Sequence, residues 1–213
     1  MQRQLLLLMM IAALPACAFS QTFLEPFAGY QVGLNNQKNN SVNSGLQLAF
    51  KRNSSIEFLL QLQKSWPLPS GSNAPDSSFT LNTSLPLYAP AEKKLRSSSL
   101  LLAAGCRFVL AGKQSNNKLL ATTYLGIKYQ KTAVSYQYDK TNYTILNPDQ
   151  TLSRTGLFVS AGLAYMRQLK TSRLLVELNV ASPSAGSNKY PSSFKLTGQL
   201  SCNIGYSIQL SKN

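Results

Sequence analysis

From Phe194 to Leu210 the chain alternates, with eight of the nine even positions apolar. Phe194, Leu196, Gly198, Leu200, Cys202, Ile204, Tyr206, Ile208 and Leu210 take one set of positions. Lys195, Thr197, Gln199, Ser201, Asn203, Gly205, Ser207 and Gln209 take the other. Successive side chains of a strand point to opposite faces, so this segment is a strand with one apolar and one polar face. The pattern holds for seventeen residues, whereas ordinary strands run to about five or six. Such a strand suits a membrane span, for which a tilted strand needs about 9 to 11 residues.

Seven further segments carry the same period. Leu24, Ala28, Tyr30, Val32 and Leu34 alternate with Glu25, Gly29, Gln31 and Gly33, and Leu46, Leu48 and Phe50 with Gln47 and Lys51. Ile56, Phe58, Leu60 and Leu62 alternate with Glu57, Gln61 and Gln63. Leu100, Leu102, Cys106, Phe108 and Leu110 stand opposite Gly105 and Arg107. Leu119, Leu125, Ile127 and Tyr129 oppose Thr122, Gly126 and Lys128, and Leu157, Val159, Ala161, Leu163 and Tyr165 oppose Gly156, Ser160 and Gly162. Leu174, Val176, Leu178 and Val180 oppose Arg173, Glu177 and Asn179. No segment shows a helical period. The reading is all-β with eight strands.

The connections alternate long and short. Segments 51–55, 112–117 and 168–172 are short; 35–44, 65–97, 139–152 and 182–192 are long and polar. Short turns at one end and long loops at the other are the asymmetry of an antiparallel up-and-down transmembrane β-barrel. The segment Phe79, Leu81, Leu85, Leu87 reads as a hairpin arm rising from the long second loop; counting it within the wall gives ten strands as the alternative. The prolines of 65–97 (Pro67, Pro69, Pro75, Pro86 and Pro90) are expected to limit regular pairing there.

Residues 1–20 read as a signal peptide: Arg3, an apolar run from Leu5 to Leu14, then Ala18-Phe19-Ser20 as a small-x-small cleavage site. The barrel domain is then 21–213. A rival reading makes Leu14-Pro15-Ala16-Cys17 a lipoprotein box with Cys17 lipidated. The ten-residue run is too short for a spanning helix.

Alternation alone does not say which face is buried. The apolar face of a secreted or periplasmic ligand-binding sandwich points inward, and that of a membrane barrel meets lipid. The export leader, the strand lengths and the mix of both charge signs with glycine on the polar face favour the barrel. Glu25, Glu57, Arg107, Lys128, Glu177 and Lys195 are the candidate lumen residues, with Glu25 or Glu57 placed to pair with Arg107. Tyr30, Trp66, Tyr88, Phe108, Tyr129, Tyr165 and Tyr206 are candidates for aromatic girdles. Cys106 and Cys202 read either as small apolar strand residues or as a pair.

Charge narrows the partners. The formal net charge is +14, yet charged residues are only 13% of the chain, about half the usual share. The cations are scattered, and their densest group is Lys93, Lys94 and Arg96. No nucleic-acid motif accompanies them. Outer-membrane lipid and lipopolysaccharide phosphates are the expected partners. The chain has no histidine, which closes Ser-His hydrolysis and histidine zinc sites. No phosphate loop is present either. The expectation is a non-enzyme without a cofactor.

Phe27-Ala28-Gly29-Tyr30, Tyr124-Leu125-Gly126-Ile127-Lys128-Tyr129, Ser160-Ala161-Gly162-Leu163-Ala164-Tyr165 and Asn203-Ile204-Gly205-Tyr206 resemble the Gly-x-Tyr strands of small outer-membrane β-barrel proteins of the OmpA/OmpX-like, porin-family type. The leader ending Ala18-Phe19-Ser20-Gln21 is similar to those of such proteins in the Bacteroidota. Family members usually end on an aromatic residue; here the end is Gln209-Leu210-Ser211-Lys212-Asn213. The resemblance implies a structural or surface-interaction barrel in the outer membrane, its lumen plugged by side chains, with a small porin or transporter as the alternative.

Overall fold

The computed structural model describes residues 21–34, 40–68, 70–79, 84–144, 150–182 and 198–212. It holds nine strands: β1 (Gln21–Gly33), β2 (Ser41–Lys51), β3 (Ile56–Pro67), β4 (Ser70–Phe79), β5 (Tyr88–Ala111), β6 (Asn117–Gln137), β7 (Gln150–Gln168), β8 (Ser172–Ala181) and β9 (Gln199–Lys212). The described residues contain no helix. Every pair is antiparallel, and the order β3-β2-β1-β9-β8-β7-β6-β5 closes on itself through β3–β5. The fold is a closed eight-stranded barrel. Its register advances as it closes: partners traced from Ile56 through Phe108, Ala121, Leu163, Leu178, Cys202, Tyr30 and Val42 return to β3 at Trp66, ten residues on. With about 3.3 Å per residue and 4.8 Å between strands, that stagger tilts the strands by about 40°.

The sequence alternation becomes the two sides of the wall. Leu46, Leu62, Leu125, Ile127, Leu163, Leu178, Ile204 and Leu210 stand exposed on the outside. Glu25, Asn43, Gln47, Glu57, Gln61, Arg107, Thr122, Arg173 and Asn203 are buried within. A water-soluble fold would bury the first set and solvate the second; a barrel in lipid does the reverse. Tyr30, Trp66 and Tyr129 face outward toward the long-loop end, and Phe108, Tyr165 and Tyr206 outward toward the short-turn end. Tyr88 belongs to neither belt; it pairs with Phe79 at the far end of a hairpin.

That hairpin corrects the reading of 65–97. Its first arm is β4, Ser70–Phe79, and Leu85 and Leu87 lie in the turn that follows; Leu81 lies outside the described residues. β4 does not widen the wall to ten strands. It continues the line of β3 along β5, which pairs with β3 as far as Ser65↔Ser99 and with β4 from Ser70↔Leu95. Pro75 and Pro90 sit within the paired strands rather than preventing them. Pro75 is on the edge strand beside a register shift, and Pro90 precedes the first β5–β6 pair at Glu92. Both are places where a missing N–H costs no ladder bond. Lys93, Lys94 and Arg96, expected as a loop cluster, are residues of β5, opposite Tyr136, Ser135 and Ala133.

The barrel is lopsided. β5, β6 and β7 have 24, 21 and 19 residues, against 13, 11 and 10 for β1, β2 and β8. With β4, the long strands stand above the rest of the wall as a β-blade. Outward residues turn polar where the blade begins: Lys64 on β3, Ser98 and Arg96 on β5, Lys131 on β6 and Ser153 on β7. Cys106 and Cys202 are free thiols on outward positions, unpaired with each other.

Candidate functional site: the charged barrel interior

Two carboxylates and two guanidiniums meet inside the wall. Glu25 is the fifth residue of β1, Glu57 the second of β3, Arg107 stands near the end of β5 and Arg173 near the start of β8. Alternation turns all four inward, and the strand stagger brings them to one level. Arg107 donates from Nη2 to Glu25 Oε2 at 3.1 Å and from Nη1 to Glu57 Oε2 at 3.0 Å. Arg173 donates from Nη2 to Glu25 Oε1 at 3.1 Å and from Nη1 to Glu57 Oε1. Each carboxylate is therefore bridged by both guanidiniums. The quartet carries no net charge, and no more than a few per cent of any member is exposed. Ions withdrawn from water need this kind of pairing to remain charged.

Neighbours extend the quartet to every strand of the barrel. Gln47 of β2 donates to Glu25 Oε2 at 2.8 Å. The Tyr124 hydroxyl of β6 lies 2.8 Å from Glu177 Oε1 on β8 and 3.1 Å from Gln47 Oε1, sharing one proton between two acceptors. Arg173 Nε donates to Ser207 Oγ of β9 at 3.2 Å, and its Nη1 reaches Met166 Sδ of β7 at 3.6 Å. The same guanidinium stacks on Phe23, 3.4 Å from the ring centroid, a geometry in which ring and cation attract. Apolar side chains pack on either side: Phe23, Ala49, Leu59, Leu101 and Ala103 in one cluster, Leu120, Ala164, Met166 and Leu175 in another.

Small residues let the opposite walls approach. A Cβ on Gly29 would lie 2.2 Å from Asn203 Oδ1 and 2.8 Å from Asn43 Oδ1. Glycine on β1 thus leaves room for Asn43 to donate to Asn203 at 3.1 Å across that strand.

Lys128 stands apart from the quartet. Its Nζ donates to Gln199 Oε1 at 2.6 Å and lies 6.0 Å from the Phe158 ring centroid. It borders a cavity of about 20 Å³ otherwise lined mainly by amides and hydroxyls, among them Gln31, Gln61, Gln63 and Asn179. A second cavity of about 20 Å³ lies beside Glu25, Arg107 and Glu177. Each has room for about one water molecule.

Of the six expected lumen residues, the structure brings Glu25, Glu57 and Arg107 into direct contact, attaches Glu177 through Tyr124, and sets Lys128 in the neighbouring amide layer. Lys195 lies outside the described residues. Arg173 and Tyr124 complete the network without having been singled out as site residues. Arg173 shares a face with Glu177 four residues on, which was the available signal; Tyr124 shares one with Thr122 and Lys128. Among the described residues no group of His, Cys, Asp and Glu is arranged to hold a metal.

No protein-family model and no curated protein sequence matches the chain. Solved structures do share its fold. A major outer membrane protein from Thermus thermophilus aligns at TM-score 0.52 and 12% identity, over 89% of this chain and 99% of that one. Neisserial surface protein A (NspA) aligns at TM-score 0.51 and 13% identity, over 88% and 96%. In architecture this chain, a closed eight-stranded antiparallel barrel, shares the fold of these proteins.

Proposed function

We propose that this protein is an outer-membrane barrel whose lumen is closed by side chains and whose β-blade is an interaction surface at the cell exterior. The observation that carries the reading is the quartet of Glu25, Glu57, Arg107 and Arg173, to which all eight barrel strands connect. An eight-stranded wall encloses a space just wide enough for side chains, and the cavity beside Lys128 and the one beside Glu25 and Arg107 each have room for about one water. The role proposed is a structural or surface-interaction one rather than a catalytic one. Arg96 and Lys131 are exposed on the blade just above the apolar belt, the depth at which lipopolysaccharide phosphates would meet them. An export leader at 1–20 delivers the chain to that membrane.

The test is fractionation with gel mobility. Expressed with its leader, the protein should enter the outer-membrane fraction and migrate faster on a gel before boiling than after. Recovery as a soluble periplasmic protein with one mobility would overturn the reading in favour of a ligand-binding sandwich.

A further inference from the structure

The short-turn end of the barrel is one-signed. Arg52 lies in the β2–β3 turn, Lys113 in the β5–β6 turn, Arg167 near the end of β7 and Lys170 in the β7–β8 turn, all exposed. The acids nearest this end among the described residues, Glu25 and Glu57, point inward and are both held by Arg107 and Arg173. None of the four cations forms a salt bridge among the described residues. Backbone bonds tie the turns into an arc: Val109 N donates to Ser55 O at 2.9 Å and Gln168 N to Asn116 O at 2.6 Å.

The depth of the arc is set by its apolar neighbours. Lys170 follows exposed Leu169, Arg167 stands two residues beyond exposed Tyr165, and Lys113 three beyond exposed Leu110. Three extended residues span at most about 10 Å, and the turns are too tight to carry the charges further. These cations therefore sit where lipid headgroups begin, not out where a distant polymer would meet them.

Resting on the membrane-barrel reading above, we infer that this arc is a docking collar for anionic phospholipid headgroups of the leaflet at the short-turn end. Long flexible stems let Lys and Arg keep contact with the apolar belt while the charge meets a phosphate. Each cation at an anionic lipid surface contributes about 1 kcal/mol, about a five-fold preference over a zwitterionic headgroup.

Trp66 is the single tryptophan, so a Trp66→Phe/Tyr165→Trp protein reports on lipid beside the collar. Reconstituted in vesicles, it should be quenched more strongly by brominated phosphatidylglycerol than by brominated phosphatidylcholine, with association constants differing by about five-fold or more. The preference should vanish in a further Lys113→Gln/Arg167→Gln/Lys170→Gln variant. It should also fall in high salt with no substitution, which covers the case of a variant that does not fold. Equal quenching by the two lipids, or a preference unmoved by both salt and the triple change, would overturn the collar. Absence of quenching by either lipid would mean that position 165 is not in a bilayer, and the membrane reading itself would fall.

Discussion

Arg173 on β8 reaches Glu25 on β1 at 3.1 Å although β9 lies between their strands, while Arg107 reaches the same carboxylate from β5 at 3.1 Å on the other side. One carboxylate is thus held from both flanks, and Glu57 is held by the same two guanidiniums. The quartet is therefore a cross-brace that ties β1 and β8 to each other and to the paired strands β3 and β5, with which neither shares a backbone bond. Removing one member strands the others.

Glu25→Gln or Arg107→Gln should accordingly destabilise the folded barrel by about 3–5 kcal/mol, the cost of leaving a buried charge unpaired. Replacing all four charges together by apolar residues of similar size should cost much less than either single change, because no ion is then left without a partner. Urea-unfolding midpoints in detergent or liposomes measure both. Single changes costing under about 1 kcal/mol would mean the brace does not hold the wall.

The same substitution at two exposed leucine-like sites separates belt from blade. Ile204→Arg lies on the outward face of β9 and Leu87→Arg in the hairpin turn; the two side chains are 58% and 59% exposed. In water the two changes would be equivalent. In a bilayer Ile204→Arg should cost about 2–4 kcal/mol and Leu87→Arg almost nothing. Folding yield in liposomes reads the difference.

Much of this was legible as alternation, because lipid outside and charge inside force opposite chemistries on neighbouring residues. The pattern is clear only where lipid enforces it. Ser70–Phe79 (SGSNAPDSSF) and the upper parts of β5, β6 and β7 escaped because their outward positions there, such as Ser98, Arg96 and Lys131, have no apolar belt to match. The polar face of each strand identified Glu25, Glu57 and Arg107. It could not say that β8 stands close enough to β1 for Arg173 to join them, because that depends on the ten-residue stagger accumulated around the closed wall. Tyr124 was hidden because a tyrosine fits either side of the wall, as outward Tyr129 of the same strand does, and its role appears only with the packed interior.

Cys106 on β5 and Cys202 on β9 lie four strands apart in either direction round the wall. A closed barrel with this tilt and strand spacing is on the order of 16 Å across, far beyond the reach of a disulfide. Mobility on a non-reducing gel should therefore match that of a Cys106→Ser/Cys202→Ser protein. A faster-migrating oxidised form would contradict the placement of these strands.

Lys140, in the exposed β6–β7 connection, and Lys113 and Lys170, in the short turns, lie at opposite ends of the barrel. Trypsin added to intact cells should cut at Lys140 and spare the other two until the outer membrane is opened. The reverse order would invert the barrel in the membrane.

Single-channel recording in planar bilayers tests the closed lumen most directly. The wild-type protein, inserted and shown folded by its heat-modifiable mobility, should give no stable open level. A Glu25→Ala/Arg107→Ala/Arg173→Ala variant, which removes three of the four bracing side chains, should conduct if it folds. A steady porin-like conductance from the wild-type barrel would contradict the account and make the protein a channel.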